Sequence, residues 1–600
     1  MINRAKQLLQ QTFGYADFRG EQAQVIDCLV EGRDALVLMP TGGGKSLCYQ
    51  IPGMVRSGMA IVVSPLIALM QDQVNALQQL GVRAAYLNSS LSREKHASVM
   101  RNIIDGDVEL LYVAPERLLQ DHTLERLRSL EISLIAIDEA HCVSQWGHDF
   151  RSDYLGLHIL QQAFPNVPRV ALTATADGRT QTEIIERLAL YQPKVFISSF
   201  DRPNIRYVVQ EKGDAKAQLL QFLQDYKQQA GIVYCMTRNR VDGMAAWLAE
   251  RGFNALPYHA GLDASVREQN QARFLREEGI VMVATIAFGM GIDKPDVRFV
   301  CHLDLPKSIE AYYQETGRAG RDGGASVAWM IYGLQDVVRL SNRVQESQAH
   351  EQFKRIERTK LDALLAWCEV NTCRRRSLLR YFGEPREEVC GNCDVCLNPP
   401  KTWDATESAQ KLLSNIYRTG QRFGAGHVID VLRGKNTAKI RQFKHQELST
   451  YGIGEELSDK DWRSIIRQLM VQGYLTVNDQ QFNALQLNEQ SRSLLRGDVR
   501  LFLRRSVKTA TRISNKTKSK SIEIADADQA LWLALKTKRK TIADEHGVPP
   551  FHIFHDATLA EMINAMPRTQ GEMLNINGVG LVKMEKFGQS FLTTLDEFRD

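Results

Sequence analysis

LVLMPTGGGKS, residues 36–46, decides the fold of this chain. The apolar run reads as a buried strand, and the glycines at 42, 43 and 44 turn it sharply toward a helix that opens at Lys45 and Ser46. Such a turn wraps phosphates with backbone N–H groups where no side chain would fit. Lys45 supplies positive charge to the β- and γ-phosphates, and the Ser46 hydroxyl is available to magnesium. The strict pattern wants glycine at position 39, where this chain has Met39.

Around that stretch, short apolar runs alternate with amphipathic ones. ALVLMP, AIVVSP, ELLYVAP, LIAIDEA and RVALTATA read as buried strands, and QDQVNALQQLG has helical spacing. The pattern restarts after FDRPNI, with GIVYCM, GIVMVAT and VRFVCHLD as further strands. Strands alternating with helices predict open parallel sheets covered on both faces. Two such α/β domains therefore join near residue 200, and ligands in these sheets bind beyond the carboxyl ends of the strands.

LIAIDEAH (134–141) supplies a second half to the phosphate site. Asp138 at a strand end suits magnesium, and Glu139 suits the attacking water. Phosphoryl transfer also needs positive charge on the leaving side. YYQETGRAGRD (312–322) offers Arg318 and Arg321, three apart, from the second α/β domain. Hydrolysis would then depend on the two domains closing.

The chain has 600 residues, 44% apolar and 24% charged, which excludes a disordered chain, a fibre and a coiled-coil rod. At roughly 100–200 residues per domain it holds about four domains. No run of 18 apolar residues is present, so no membrane span or membrane partner is expected. The N-terminal stretch has no secretory pattern, so a cytoplasmic protein is expected. The net charge of +5 is modest, but residues 504–520 hold seven Lys or Arg and no acid. That stretch reads as a basic linker, either a solvated tether or a phosphate contact.

After residue 340 the pattern turns helical. DKDWRSIIRQLMVQ (459–472) puts Trp462, Ile465, Ile466, Leu469 and Met470 on one face, with Gly473 ending the helix. YLTV, a turn through NDQQFN carrying Phe482, and ALQL follow as a hairpin. Helices and then a hairpin suggest a winged helix, the alternative being an ordinary small α+β domain. Residues 523–600 read as an all-helical domain, and their NINGVG turn (575–580) suits either a phosphate contact or a plain tight turn.

Four of the ten cysteines are Cys373, Cys390, Cys393 and Cys396. Four thiolates suit a closed, structural tetrahedral zinc site. The last three approach an iron–sulfur run, but Pro400 stands where its final cysteine belongs. Cys368 competes with Cys373 for the fourth place; five apart on one helix they would point about 140° from each other, so both cannot serve one metal.

Together, FGYADFRGEQ (13–22), PTGGGKS, SPLIALMQDQ, YVAPERL, DEAHCVSQWGHDFR (138–151), LTATA, ATIAFGMGIDK (284–294) and QETGRAGRD resemble the RecQ family of superfamily-two DNA helicases, in its bacterial form. The resemblance spans essentially the whole chain. It implies two RecA-like parallel-sheet motor domains (1–200 and 201–340), a helical zinc-binding subdomain (341–400), a winged helix (401–503), the basic linker (504–522) and an all-helical domain of the helicase-and-RNase-D C-terminal (HRDC) type (523–600). It favours Cys373 as the fourth ligand. It implies that Tyr15, Arg19 and Gln22 clamp adenine, that Gly289 and Asp293 meet nucleotide and strand across the cleft, and that Trp146, His148, Phe150 and Arg151 form a loop coupling DNA to hydrolysis. Arg321 is expected as the finger and Arg318 at the γ-phosphate, with the reverse order open. Phe482 is a candidate for parting strands, or folds back on the wing. The implied activity is ATP-dependent 3′→5′ unwinding in recombination, repair and fork maintenance, with ATP, Mg²⁺ and Zn²⁺ as cofactors. Implied partners are single-stranded and forked or branched DNA, single-stranded-DNA-binding protein and recombination proteins. An RNA helicase or a nucleotide-switched DNA-binding regulator are the alternatives.

Overall fold

The structure, a computed structural model, describes residues 2–88, 91–144, 150–286, 288, 294–347, 350–478, 484–505 and 525–599. The first sheet comprises β1 (Ala35–Leu38), β2 (Met59–Val63), β3 (Ala84–Leu87), β4 (Leu110–Val113), β5 (Ile132–Ile137), β6 (Arg169–Thr173) and β7 (Lys194–Ile197). Its order is β3-β4-β2-β5-β6-β1-β7, and each pairing is parallel. The second sheet comprises β8 (Ile205–Glu211), β9 (Gly231–Tyr234), β10 (Asn254–Tyr258), β11 (Ile280–Ala284), β12 (Phe299–His302) and β13 (Ser326–Tyr332), in the parallel order β10-β11-β9-β12-β13-β8. β1, β2, β4 and β5 are buried at every position, as strands covered by helices on both faces must be. Each fully buried Val, Leu or Ile contributes about 1.5–3 kcal/mol.

Strand order positions the site. β5, β6 and β1 are neighbours, so the turns that follow them share one rim of the sheet. The glycine turn, the Asp138–Glu139 corner and Thr173 therefore converge from three distant parts of the sequence.

Beyond the second sheet, helices Glu351–Cys368 and Arg374–Tyr381 carry the first part of the cysteine cluster. The single-helix geometry expected for Cys368 and Cys373 is corrected here. Cys368 ends one helix and Cys373 caps the next, so the two are not on a single helix. Helices Thr406–Arg418, Ala425–Leu432, Ala438–Gln442 and Asp459–Val471 precede the hairpin of β15 (Leu475–Asn478) and β16 (Ala484–Leu487), while β14 (Thr402–Asp404) pairs with β17 (Phe502–Arg504). The helix Asp459–Val471 begins with a reciprocal Ser458–Asp461 capping box and buries Trp462, Ile465, Ile466 and Leu469. Arg467 on that helix bonds Glu369 at 2.8 Å, just past the helix Glu351–Cys368, and Glu211 of β8 at 3.1 Å, which anchors this unit on the cysteine-bearing helices and the second α/β domain.

The C-terminal helices, among them Gln529–His546, Asp556–Ala565 and Gln589–Asp596, bury a core of their own. They touch both α/β domains. The Gly578 N–H donates to the Gly14 carbonyl at 2.8 Å, and Lys586 Nζ to the Gln79 carbonyl at 3.1 Å. Lys536 pairs with Glu278 at 2.6 Å, and Arg276 donates to the Gly547 carbonyl at 2.7 Å. The NINGVG turn thus meets the motor backbone here. Among the described residues, no helix is long and apolar enough to cross a membrane.

Candidate functional site

β1 ends at Leu38, and the glycine turn leads into the helix Leu47–Val55. Gly42 and Gly44 adopt left-handed φ of 82° and 81°, which side chains disfavour. A Cβ at Gly43 would lie 3.0 Å from the Pro40 carbonyl. The loop is therefore a bare backbone cradle. Lys45 Nζ donates to the Met39 carbonyl at 3.0 Å across its mouth. Burial pushes the Lys45 ammonium down, while Glu139 and Asp138 oppose that shift. Met39, where glycine was expected, is 2% exposed and lies against Cys48, so its side chain belongs to the core.

Asp138 and Glu139 leave the end of β5. Burial, then the neighbouring Glu139, raises the Asp138 carboxyl to about 7 against the pull of Lys45. Glu139 sits at a left-handed φ of 49°, and its buried Oε2 makes no hydrogen bond. His141 Nδ1 is 3.4 Å from that oxygen but shares its hydrogen bond with Thr173 Oγ1 at 3.0 Å, and burial pushes its pKa down to about 3. A neutral imidazole forms no ion pair with Glu139. Two half-buried carboxylates at one strand end, with one unbonded oxygen, fit a hard divalent cation.

The second domain faces this cradle with Arg318 and Arg321. A Cβ on Gly42 would lie 3.3 Å from Arg321 Cγ, so Arg321 flanks the glycine turn. Arg318 is 4% exposed and lies deeper; burial pushes its guanidinium down, and the neighbouring Tyr234 opposes that shift. Sequence reasoning missed Arg202. Its Nη1 donates to the Thr41 carbonyl at 2.5 Å and the Gly317 carbonyl at 3.1 Å, and its Nη2 to the Ala319 and Gly320 carbonyls at 2.9 and 3.0 Å. One guanidinium thereby joins the phosphate turn to the arginine-bearing turn. The only sequence signal was an arginine in the junction FDRPNI.

Arg19 lies over the Tyr15 ring at 5.8 Å, leaving a cation and an aromatic side by side. Gln22 is 3% exposed; its Nε2 donates to the Gly44 carbonyl at 3.1 Å and its Oε1 accepts from the Arg19 N–H at 2.9 Å. The expected adenine residues are thus bonded to each other and to the phosphate turn. Arg151 donates to the Pro65 carbonyl at 3.0 Å, and Phe150 is 38% exposed. Trp146, His148, Gly289, Asp293 and Phe482 lie outside the described residues.

The Cys373, Cys390, Cys393 and Cys396 sulfurs all lie within 4.8 Å of one another. Cys390 N–H donates to Cys373 Sγ at 3.3 Å and Cys396 N–H to Cys393 Sγ at 3.4 Å. Backbone donors aimed at sulfur favour thiolates. Chiefly through its hydrogen bond with Cys390, the Cys393 thiol is pushed down to about 5. Cys368 is buried elsewhere in the core. Four clustered sulfurs without an oxygen or nitrogen donor fit structural zinc.

This subdomain grips the joint between the motor domains. Arg375 bonds Asp201 at 2.8 Å and the Ile205 carbonyl at 2.6 Å, and Arg386 also pairs with Asp201. Glu384 accepts from the Ser199 hydroxyl and the Phe200 N–H, each at 2.7 Å. Asp394, paired with buried Arg374 at 2.5 Å, accepts from the Val209 N–H of β8 at 3.1 Å.

Five family models match in succession: DEAD/DEAH box helicase over 19–184, helicase conserved C-terminal domain over 214–323, RecQ zinc-binding over 334–397, RQC domain over 399–512 and HRDC domain over 528–595. The ATP-dependent DNA helicase RecQ of Haemophilus influenzae is 46% identical over 597 residues, covering 99% of this chain and 96% of that one. Its namesake in Pasteurella multocida is 46% identical over 596 residues, covering 99% and 94%. That of Bacillus subtilis is 38% identical over 601 residues, covering 100% and 99%. With two parallel-sheet motor domains, a four-cysteine centre, a winged helix and an HRDC domain in this order, the chain belongs to the RecQ family of ATP-dependent DNA helicases.

Proposed function

We propose that this protein translocates 3′→5′ on single-stranded DNA and unwinds duplex DNA at the expense of ATP. The observation that carries the reading is the cleft itself: the turns after β1 and β5 face the Gly317–Arg321 turn of the other domain, and Arg202 touches both sides. ATP bound there has its phosphates in the glycine cradle. Lys45, Arg318 and Arg321 offset the charge that gathers on the γ-phosphoryl and the leaving oxygen. Glu139 orients the attacking water. Ser46 and Asp138 are the residues that would hold magnesium, whose charge neutralises the β- and γ-phosphates. Tyr15 and Arg19 stack on adenine, with Gln22 on its edge.

Because Arg318 and Arg321 come from the second domain while Lys45 belongs to the first, hydrolysis requires closure, and closure is the stroke. Phe150 and Arg151, with Trp146 and His148, begin a few residues beyond Glu139 and contact the strand, so DNA and water position are linked. Gly289 and Asp293 serve the same cleft, and Phe482 is assigned to the hairpin that meets the duplex. Family membership supports work on forked and branched DNA in recombination and repair in the bacterial cytoplasm, alongside single-stranded-DNA-binding and recombination proteins. Relatives named as DNA helicases along their whole length do not favour an RNA substrate.

Lys45→Ala tests the reading. DNA-stimulated ATP hydrolysis is expected to fall at least a hundredfold, on the order of the effect of losing a group that stabilises transition-state charge, with DNA affinity preserved. Substantial hydrolysis by the variant overturns the phosphate assignment.

A further inference from the structure

Residues 198–204 join β7 of the first sheet to β8 of the second, and the Gly317–Arg321 turn is built against them. Arg202 makes most of that contact. Its Nη2 donates to the Ala319 and Gly320 carbonyls and its Nη1 to the Gly317 carbonyl, so three acceptors of one turn meet a single guanidinium. Asn204 completes the mould, its Nδ2 donating to the Gly320 and Gly324 carbonyls at 2.8 and 2.9 Å. The turn fits these donors closely. Gly320 has a left-handed φ of 56°, and a Cβ there would lie 2.4 Å from Asn204 Nδ2. The helix Ile309–Thr316, which leads into the turn, is fixed from the same junction, since the Tyr313 hydroxyl donates to the Phe200 carbonyl at 2.9 Å.

One bond of Arg202 crosses to the first domain, from Nη1 to the Thr41 carbonyl beside the three glycines, at 2.5 Å. The two domains come nearest around it. A Cβ on Gly317 would lie 3.4 Å from Thr41 Cβ, and one on Gly42 would lie 3.6 Å from Arg202 Nη1 and 3.3 Å from Arg321 Cγ. Among the described residues, the side-chain hydrogen bonds of Arg202 all go to backbone carbonyls. Burial pushes this guanidinium down, so its charge persists there only with acceptors in place. A planar fork that meets four carbonyls has one orientation, and the two turns it joins have one spacing.

We infer that Arg202 is a positioning residue for ATP hydrolysis: its guanidinium sets the arginine-bearing turn, and Arg321 with it, at a fixed spacing from the phosphate-binding glycine turn. The inference rests on the proposed role of Arg321 at the phosphates. A correctly aimed cation matters where charge develops, so Arg202 acts on turnover far more than on ground-state ATP binding. Its own donors are engaged by carbonyls; it acts through the turn.

The test measures single-stranded-DNA-stimulated ATP hydrolysis by the full-length protein and by Arg202→Lys, Arg202→Ala, Arg321→Ala and the double alanine variant. Lysine keeps the charge but gathers its donors on one atom, so it cannot span both turns. In Arg202→Ala, kcat is expected to fall about tenfold or more, since small misplacements of a charge-stabilising group are costly. Arg202→Lys should recover little of that loss, while KM for ATP stays within about twofold in both. In the Arg321→Ala background, Arg202→Ala is expected to cost less than about twofold more, because both changes remove one arrangement. Parental kcat in Arg202→Lys means that charge alone suffices and overturns the inference. A raised KM at parental kcat, or losses that multiply in the double variant, overturn it too. Where Arg202→Ala folds poorly, Arg202→Lys carries the test beside a melting curve: a loss of kcat that vanishes well below its melting temperature means a scaffold role only, and overturns the inference. Parental kcat in Arg321→Ala fails earlier, at the proposed role of Arg321, and so is distinguishable from failure of Arg202 alone.

Discussion

The zinc-bearing subdomain and the HRDC domain both dock on the motor, and they do so by opposite means. The first uses buried side-chain charge: Arg374 and Arg375 are 0% and 2% exposed, and their carboxylate partners belong to the same helical unit or to the motor joint. The second uses backbone against backbone at Gly14 and Gly578, flanked by pairs such as Lys536–Glu278, whose acid is 65% exposed. Removing one partner of a buried pair leaves an uncompensated charge at a cost of about 3–5 kcal/mol, whereas exposed pairs are worth about 0–1 kcal/mol. The docking of the zinc subdomain is thus the costlier of the two to break.

The hardest test of that contrast is Cys393→Ser. Three sulfurs leave the tetrahedron incomplete, so zinc should fall from about one per chain to a small fraction. Elemental analysis checks the metal, and calorimetry should show the motor's own transition lowered with it. Retention of motor stability after zinc loss would break the comparison.

A smaller effect is expected for Arg375→Ala, which leaves Asp201 to Arg386 and frees the Ile205 carbonyl. We expect about 3 kcal/mol of destabilisation in denaturant unfolding, with zinc retained. The smallest effect is expected for Lys536→Glu. It should change global stability by less than about 1 kcal/mol while raising amide exchange around Gly14 and Gly578, and added salt should mimic it. A stability loss matching that of Arg375→Ala would mean the HRDC domain is as integral as the zinc subdomain.

The sequence made the two sheets legible through their interior. β1, β2, β4, β5, β6, β9, β11 and β12 were readable as apolar runs. β3, β7, β8 and β10 were not, and all four are edge strands. β7 has a single buried position, so no continuous apolar run marks it. β13 went unread although it is buried throughout. The glycine turn, the paired acids and the cysteine cluster were legible because their chemistry depends on local spacing. Arg202 was not. Its partners are carbonyls brought near by strand order, and a carbonyl leaves no mark in a sequence.

Asp201 and Arg202 are consecutive, yet they face opposite ways. One is held by the zinc-bearing helices and the other by the two lips of the nucleotide cleft. A single peptide unit, about 3.8 Å of chain, separates the contact that joins the two lips of the cleft from the contact that joins the cysteine-bearing helices to the motor. A displacement of Arg202 would reach Asp201 through that one rigid unit, and through it the helices that carry the cysteines and the winged helix bonded to Glu369.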